Sequence, residues 1–167
     1  YAGGPVFIDI SDPKNPKILG GYSRERYTHD AHVVNYIGPD PEFQGKEIFF
    51  GSNSDGGENN RIVILDVTDK LNPSKISTID YSGPGYTHQG FLTEDHRYFF
   101  LVDELDELQF GLKTQTRIFD FSSLKEPKLH FKYFSNFPAI DHNGYIVGEY
   151  FFLANYFHLH IYLLFLL

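Results

Sequence analysis

Three stretches of the chain repeat one another. "PVFIDISDPKNPKILGGY" (5–22), "RIVILDVTDKLNPSKISTID" (61–80) and "TRIFDFSSLKEPKLHFKYF" (116–134) follow one plan. Each runs from an apolar segment with an embedded aspartate, through a Ser/Thr/Asp turn and a Pro-Lys or Pro-Ser-Lys step, into another apolar segment. The aspartates are Asp9, Asp66 and Asp120, spaced by 57 and 54 residues; a degraded fourth start is "LHIYLL", where Ile161 answers Ile118. Self-similarity from the propeller-blade period upward is the mark of a repeat architecture.

Between these units a second pair of segments recurs. After His29 come "AHVVNYI" and "KEIFFGSN"; after His88 come "GFLT" and "HRYFFLVDE"; after His142 come "GYIV" and "GEYFFLAN". Each unit thus offers four short β-rich runs separated by turn residues, with no helical periodicity between them. Four strands repeated radially predict an all-β fold, a β-propeller, with about three blades plus a partial blade present. An ordinary β-sandwich is the competing architecture, and the repeat speaks against it.

The chain reads as one propeller segment over 1–167: the end of one blade at 1–30, a blade at 31–80, a blade at 88–134 and a partial blade at 142–167. In the first complete blade the strands are expected near 31–37, 46–53, 61–67 and 75–80. The continuously apolar "IVIL" suits a strand covered on both faces. The Gly-, Pro- and Asn-bearing segments 38–45, 54–60 and 104–115 read as loops. Closed propellers need about four blades or more. The expected context is therefore the remaining blades of a longer parent chain or, failing that, neighbouring copies.

Composition narrows the function. A formal charge of -8 argues against nucleic acid and suits a cation or a basic partner. No cysteine is present, so no disulfide framework and no thiol nucleophile enters. The opening "YAGGPVFIDI" lacks the order of a signal peptide and reads as starting inside a domain. The apolar "LHIYLLFLL" (159–167) falls short of the roughly 20 residues of a membrane helix and reads as a final strand or a distorted chain end.

The segments "RYTHDAHVVNYIGPDPEFQGKEIFFGSN", "LDVTDKLNPSKIS", "YTHQGFLTEDHRYFFLVDELDE", "TRIFDFSSLKEP" and "AIDHNGYIVGEYFFLANY" resemble the choice-of-anchor B family of LVIVD-repeat proteins. The likeness runs from about residue 5 to 156 and ends at Phe157. It implies a secreted or surface-anchored β-propeller, hence an extracellular or cell-surface location, with the anchor supplied by other segments. Surface proteins or glycans are the partners that setting offers. The resemblance implies no established reaction.

Strand order places His29, His88 and His142 at equivalent starts of innermost strands, near the central channel and at one face. The antiparallel second strands return to that face and end in Ser52 and Asn53, Asp103 and Glu104, and Ala154 and Asn155. Imidazole and carboxylate together form the ligand set of a divalent transition metal. "DELDE" (103–107) adds carboxylates that suit calcium, though without EF-hand spacing. The candidate metal ligands are thus His29, His88, His142, Asp103 and Glu104. Two other uses compete: hydrogen bonding to the neighbouring blade, and catalysis.

Other polar residues get structural assignments. His32 and His96 are expected to pack beside strands; Asp9, Asp66 and Asp120 to cap turns; Tyr27 and Tyr86 to pack near the channel mouth. His158 and His160 receive no role. "SDGGENN" lacks the lysine and following helix of a phosphate loop, and no Gly-x-Ser-x-Gly elbow occurs. The leading reading is a non-enzymatic binding or scaffold module, with a metal or small ligand at the hub. The alternatives are a metal-dependent enzyme using the histidine rim and a structural subunit of a surface assembly.

Overall fold

The computed structural model describes residues 2–55 and 57–156 in full and 159–163 in backbone. Among these, thirteen strands form four antiparallel sheets, each a simple meander. The first sheet pairs β1 (Val6–Asp9) with β2 (Lys17–Gly21). The second holds β3 (Thr28–Asn35), β4 (Glu47–Asn53), β5 (Arg61–Asp66) and β6 (Ser74–Ile79). The third holds β7 (Thr87–Leu92), β8 (Tyr98–Asp103), β9 (Gln115–Asp120) and β10 (Lys128–Phe134), with a short helix α1 (Asp106–Phe110) between β8 and β9. The fourth holds β11 (Asp141–Val147), β12 (Tyr150–Asn155) and β13 (Leu159–Leu163). The architecture is an all-β partial propeller: two four-stranded blades flanked by a two-stranded and a three-stranded sheet.

Strand alternation explains why the blades stack. In the second sheet Phe49, Val63 and Leu65 pack toward Tyr22 and Phe7 of the first. Their sequence neighbours Phe50, Ile62 and Ile64 turn the other way and meet Phe99, Leu101, Phe119 and Phe121 of the third. The third sheet repeats the division, sending Phe100, Val102 and Ile118 toward Ile146, Phe151 and Leu153 of the fourth. The rings of Phe50, Phe99 and Phe121 stack with centroids 5.3–5.9 Å apart. Central strands are thus apolar on both faces, which is why "IVIL" shows no polar alternation.

The repeated aspartates close equivalent turns. Ser11, Thr68 and Ser122 donate their backbone N–H groups to Asp9 Oδ1, Asp66 Oδ1 and Asp120 Oδ1 at 2.8, 3.1 and 2.8 Å. These are Asx turns, as the repeat predicts.

One segment differs in detail from the sequence expectation. The stretch 104–115, expected as a loop, contains α1, which ends on Gly111 at φ 66° with its N–H donating to Glu107 O at 2.9 Å. Five residues are too few to show a helical period. In the tail, β13 pairs antiparallel with β12 from Tyr150↔Leu163 to Ala154↔Leu159. His158 and residues 164–167 lie outside the described residues, as does the side chain of His160. No described helix is long and apolar enough to cross a membrane.

Candidate functional site

The first strands of the second, third and fourth sheets stand side by side, with β7 between β3 and β11. Each carries a β-bulge, and in each case the extra residue is the histidine. Pairing steps from Thr28↔Asn53 to Asp30↔Ser52, leaving out His29. It steps from Thr87↔Asp103 to Gln89↔Val102, leaving out His88. It steps from Asp141↔Asn155 to Asn143↔Ala154, leaving out His142. A bulge frees one residue from the ladder and redirects its side chain.

The three imidazoles consequently meet. The ring of His88 lies 4.5 Å from that of His29 and 4.4 Å from that of His142, centroid to centroid. Glu104, just past β8, faces two of them: His88 Nε2 is 3.6 Å from one carboxylate oxygen and His142 Nε2 3.9 Å from the other. One ligand atom from each of His88, Glu104 and His142 lies within 4.8 Å of the others. Tyr156 donates its hydroxyl to Glu104 Oε1. The hydroxyls of Tyr86 and Tyr27 lie 3.1 and 3.3 Å from His29 Nδ1.

His88 is the buried member, 5% exposed, and its Nδ1 has no hydrogen-bond partner. Burial pushes its pKa down; Glu104 opposes that, and His29 and His142 reinforce it. The ring is therefore held toward the neutral form, whose lone pair a metal requires. Zinc with ligands at 2.0–2.2 Å sets neighbouring donors roughly 3.4 Å apart in a tetrahedron. The nitrogens stand 3.6 and 3.9 Å from the two Glu104 oxygens, longer than that value, and all three ligand atoms lie within 4.8 Å of one another. Two imidazoles and a carboxylate make three protein ligands and leave a fourth position open.

The five sequence candidates divide. His88, His142 and Glu104 form the close group; His29 stands beside it, engaged by Tyr86. Asp103 does a different job. Completely buried, it accepts the N–H groups of Gly85 at 3.0 Å and Tyr86 at 2.6 Å and the hydroxyl of Tyr81 at 2.7 Å. It anchors the link into β7, as Asn53 anchors Glu25 O at 2.7 Å ahead of β3. His32 stacks on Phe91 at 4.2 Å and accepts the N–H of Leu92; His96 accepts that of Ile37. Both pack beside strands.

Two further features escaped sequence reasoning. Tyr156 reaches Glu104 because Asn155 and Asp141 are register partners, which brings the end of β12 beside His142. The glycines two residues past His88 and His142 are steric; Ala31 stands at the equivalent position past His29. A Cβ on Gly90 would lie 1.9 Å from Phe99 Cζ, and one on Gly144 2.3 Å from Phe151 Cζ. The repeated His-x-Gly was the available signal.

In fold the chain is similar to a protein from Lactobacillus plantarum, with a TM-score of 0.59, 13% identity, and coverage of 92% of this chain and 45% of that one. It is also similar to the β-propeller domain of Cps50 (Swd1) from Myceliophteria thermophila, with a TM-score of 0.56, 15% identity, and coverage of 98% and 52%. The chain spans about half the length of each. No family model and no curated protein matches it.

Proposed function

We propose that this chain is a non-enzymatic binding or scaffold module of choice-of-anchor B, LVIVD-repeat type. In this reading it works outside the cytoplasm or at the cell surface and holds a divalent transition metal at its hub. His88, His142 and Glu104 are the ligands, with His29, Tyr86 and Tyr156 around them. The observation that supports it is the convergence of three ligand atoms from two blades within 4.8 Å, built on bulges repeated at the same position of successive blades. Metal at this point would tie the third sheet to the fourth. The open coordination position suits a carboxylate or carbonyl oxygen of a surface protein or glycan. The location rests on the sequence resemblance.

Zinc titration of chelator-treated protein tests the metal reading. One equivalent binds, and His88→Ala or His142→Ala weakens it by at least about 100-fold, because each removes one of three ligands. Unchanged affinity in both variants refutes it. Labelling of intact cells with an impermeant reagent tests the location.

A further inference from the structure

The second strands of three successive blades end in register. Asn53, Asp103 and Asn155 pair with Thr28, Thr87 and Asp141. The residues that follow them, Ser54, Glu104 and Tyr156, therefore hold equivalent places, one per blade. They do three different things. Ser54 is buried and donates to Asn60 Oδ1 at 2.6 Å, inside its own blade. Glu104 turns to His88 and His142. Tyr156, one blade further on, donates its hydroxyl to Glu104 Oε1. Glu104 and His88 come from the third sheet, Tyr156 and His142 from the fourth, so this hydrogen bond crosses the same junction as the two imidazoles.

Among the described residues, the Tyr156 hydroxyl is the hydrogen-bond partner of the Glu104 carboxylate. His88 Nε2 at 3.6 Å and His142 Nε2 at 3.9 Å stand beyond hydrogen-bond range. A glutamate just past the end of a strand turns about three side-chain bonds, and here the phenol is what holds it. Tyr156 is itself fixed at two points: its N–H donates to Ile140 O at 3.2 Å, and its ring meets that of His142 edge-on with centroids 5.3 Å apart. At 56% exposure it adds little to the core. The bond also makes the two carboxylate oxygens unlike. Oε1 accepts the hydroxyl, while Oε2, the oxygen 3.6 Å from His88 Nε2, keeps its lone pairs free. Hydrogen bonds from outside the ligand set orient ligating carboxylates in this way.

We infer that Tyr156 is a positioning residue for the hub metal: by holding Glu104 Oε1 it presents Oε2 as a single-oxygen ligand beside His88 Nε2. The inference rests on the hub-metal reading and adds to it a requirement at a residue that is not itself a ligand. It also makes the site a joint product of two blades twice over, once through His142 and once through the phenol that aims the carboxylate.

Zinc titration of chelator-treated Tyr156→Phe, which keeps the ring against His142 and removes the hydroxyl, tests it. One equivalent still binds, about 10- to 100-fold more weakly than in the parent. The metal-free variant unfolds within about 2 °C of the parent, as a change at an exposed side chain should. With cobalt(II) in place of zinc, the visible spectrum of the bound ion changes in Tyr156→Phe, because the freed carboxylate turns; loss of a merely structural contact leaves that spectrum as it was. Since the hydroxyl acts through Glu104, Tyr156→Phe costs nothing further in a Glu104→Ala background. Parental zinc affinity in Tyr156→Phe, alongside weakened binding in His88→Ala, overturns this inference and leaves the metal reading standing. Losses that add in the double variant overturn it too. Equal affinity in the parent, Tyr156→Phe and His88→Ala overturns the metal reading itself.

Discussion

Glu107, buried in the first turn of α1, provides the sharpest quantitative test. Burial, reinforced by the Asp106 carboxylate, pushes its pKa from 4.5 up to about 8. At neutral pH the metal-free folded protein therefore holds a proton that the unfolded chain has released. Stability is fullest below about pH 4.5 and falls as pH rises toward about 8. By pH 7 the fall from this one group amounts to about 3 kcal/mol. Glu107→Gln keeps the side-chain shape and removes the titration. In chelator, at pH 7, the variant is expected to be more stable by up to about 3 kcal/mol, or roughly 6–12 °C in Tm. Its stability profile between about pH 5 and 8 should be flatter. A residual slope remains, because burial also raises the pKa values of Asp141 and Asp106. Urea titrations across that range measure both quantities. Parallel profiles for parent and variant would refute the reasoning, since they would mean that Glu107 is solvated in the folded state.

Two other substitutions separate packing from ligation. Gly90→Ala drives a methyl group into the Phe99 ring, so unfolding should show a loss of about 3 kcal/mol; a loss under about 0.5 kcal/mol would mean that the strand has room to shift. Asp103→Asn leaves one acceptor oxygen where two served Gly85, Tyr86 and Tyr81, and should cost about 2 kcal/mol in chemical denaturation with zinc stoichiometry unchanged. Lost zinc with stability intact would make Asp103 a ligand after all.

The blades were legible because their signals are local and repeated. Asp9, Asp66 and Asp120 close the same turn three times, and a turn made by an aspartate two residues before its donor can be read without tertiary context. Sheet order followed from adjacency of strands in sequence. Inside "DELDE" the sequence was mute. Five residues, four of them acidic, take four separate environments: Asp103 in a backbone cradle, Glu104 at the histidines, Asp106 on Arg117, and Glu107 buried. Those assignments depend on Arg117, fourteen residues beyond Asp103, and on Asp141 in another sheet. Composition reports the charge, while only the fold reports which charge is compensated.

The three histidines meet for a reason that strand order does not contain. Strand order alone predicted that His29, His88 and His142 would gather. Strict alternation does not deliver this. Leu92 joins the core beside Phe99, toward the second sheet, and counting back by twos through Gly90 puts His88 on that same face. An imidazole there would compete with apolar packing and would not reach both neighbours. The bulge between Thr87 and Gln89 breaks the count, and the equivalent bulges in β3 and β11 break it in the same way. With one inserted residue per blade, the three imidazoles form a row with 4.5 and 4.4 Å spacing. The insertion also lets Gln89 turn to the next blade, where its Oε1 accepts the Gly144 N–H at 2.6 Å. A bulge costs ladder hydrogen bonds, and its recurrence at the histidine of three successive blades is what brings the imidazoles into one row.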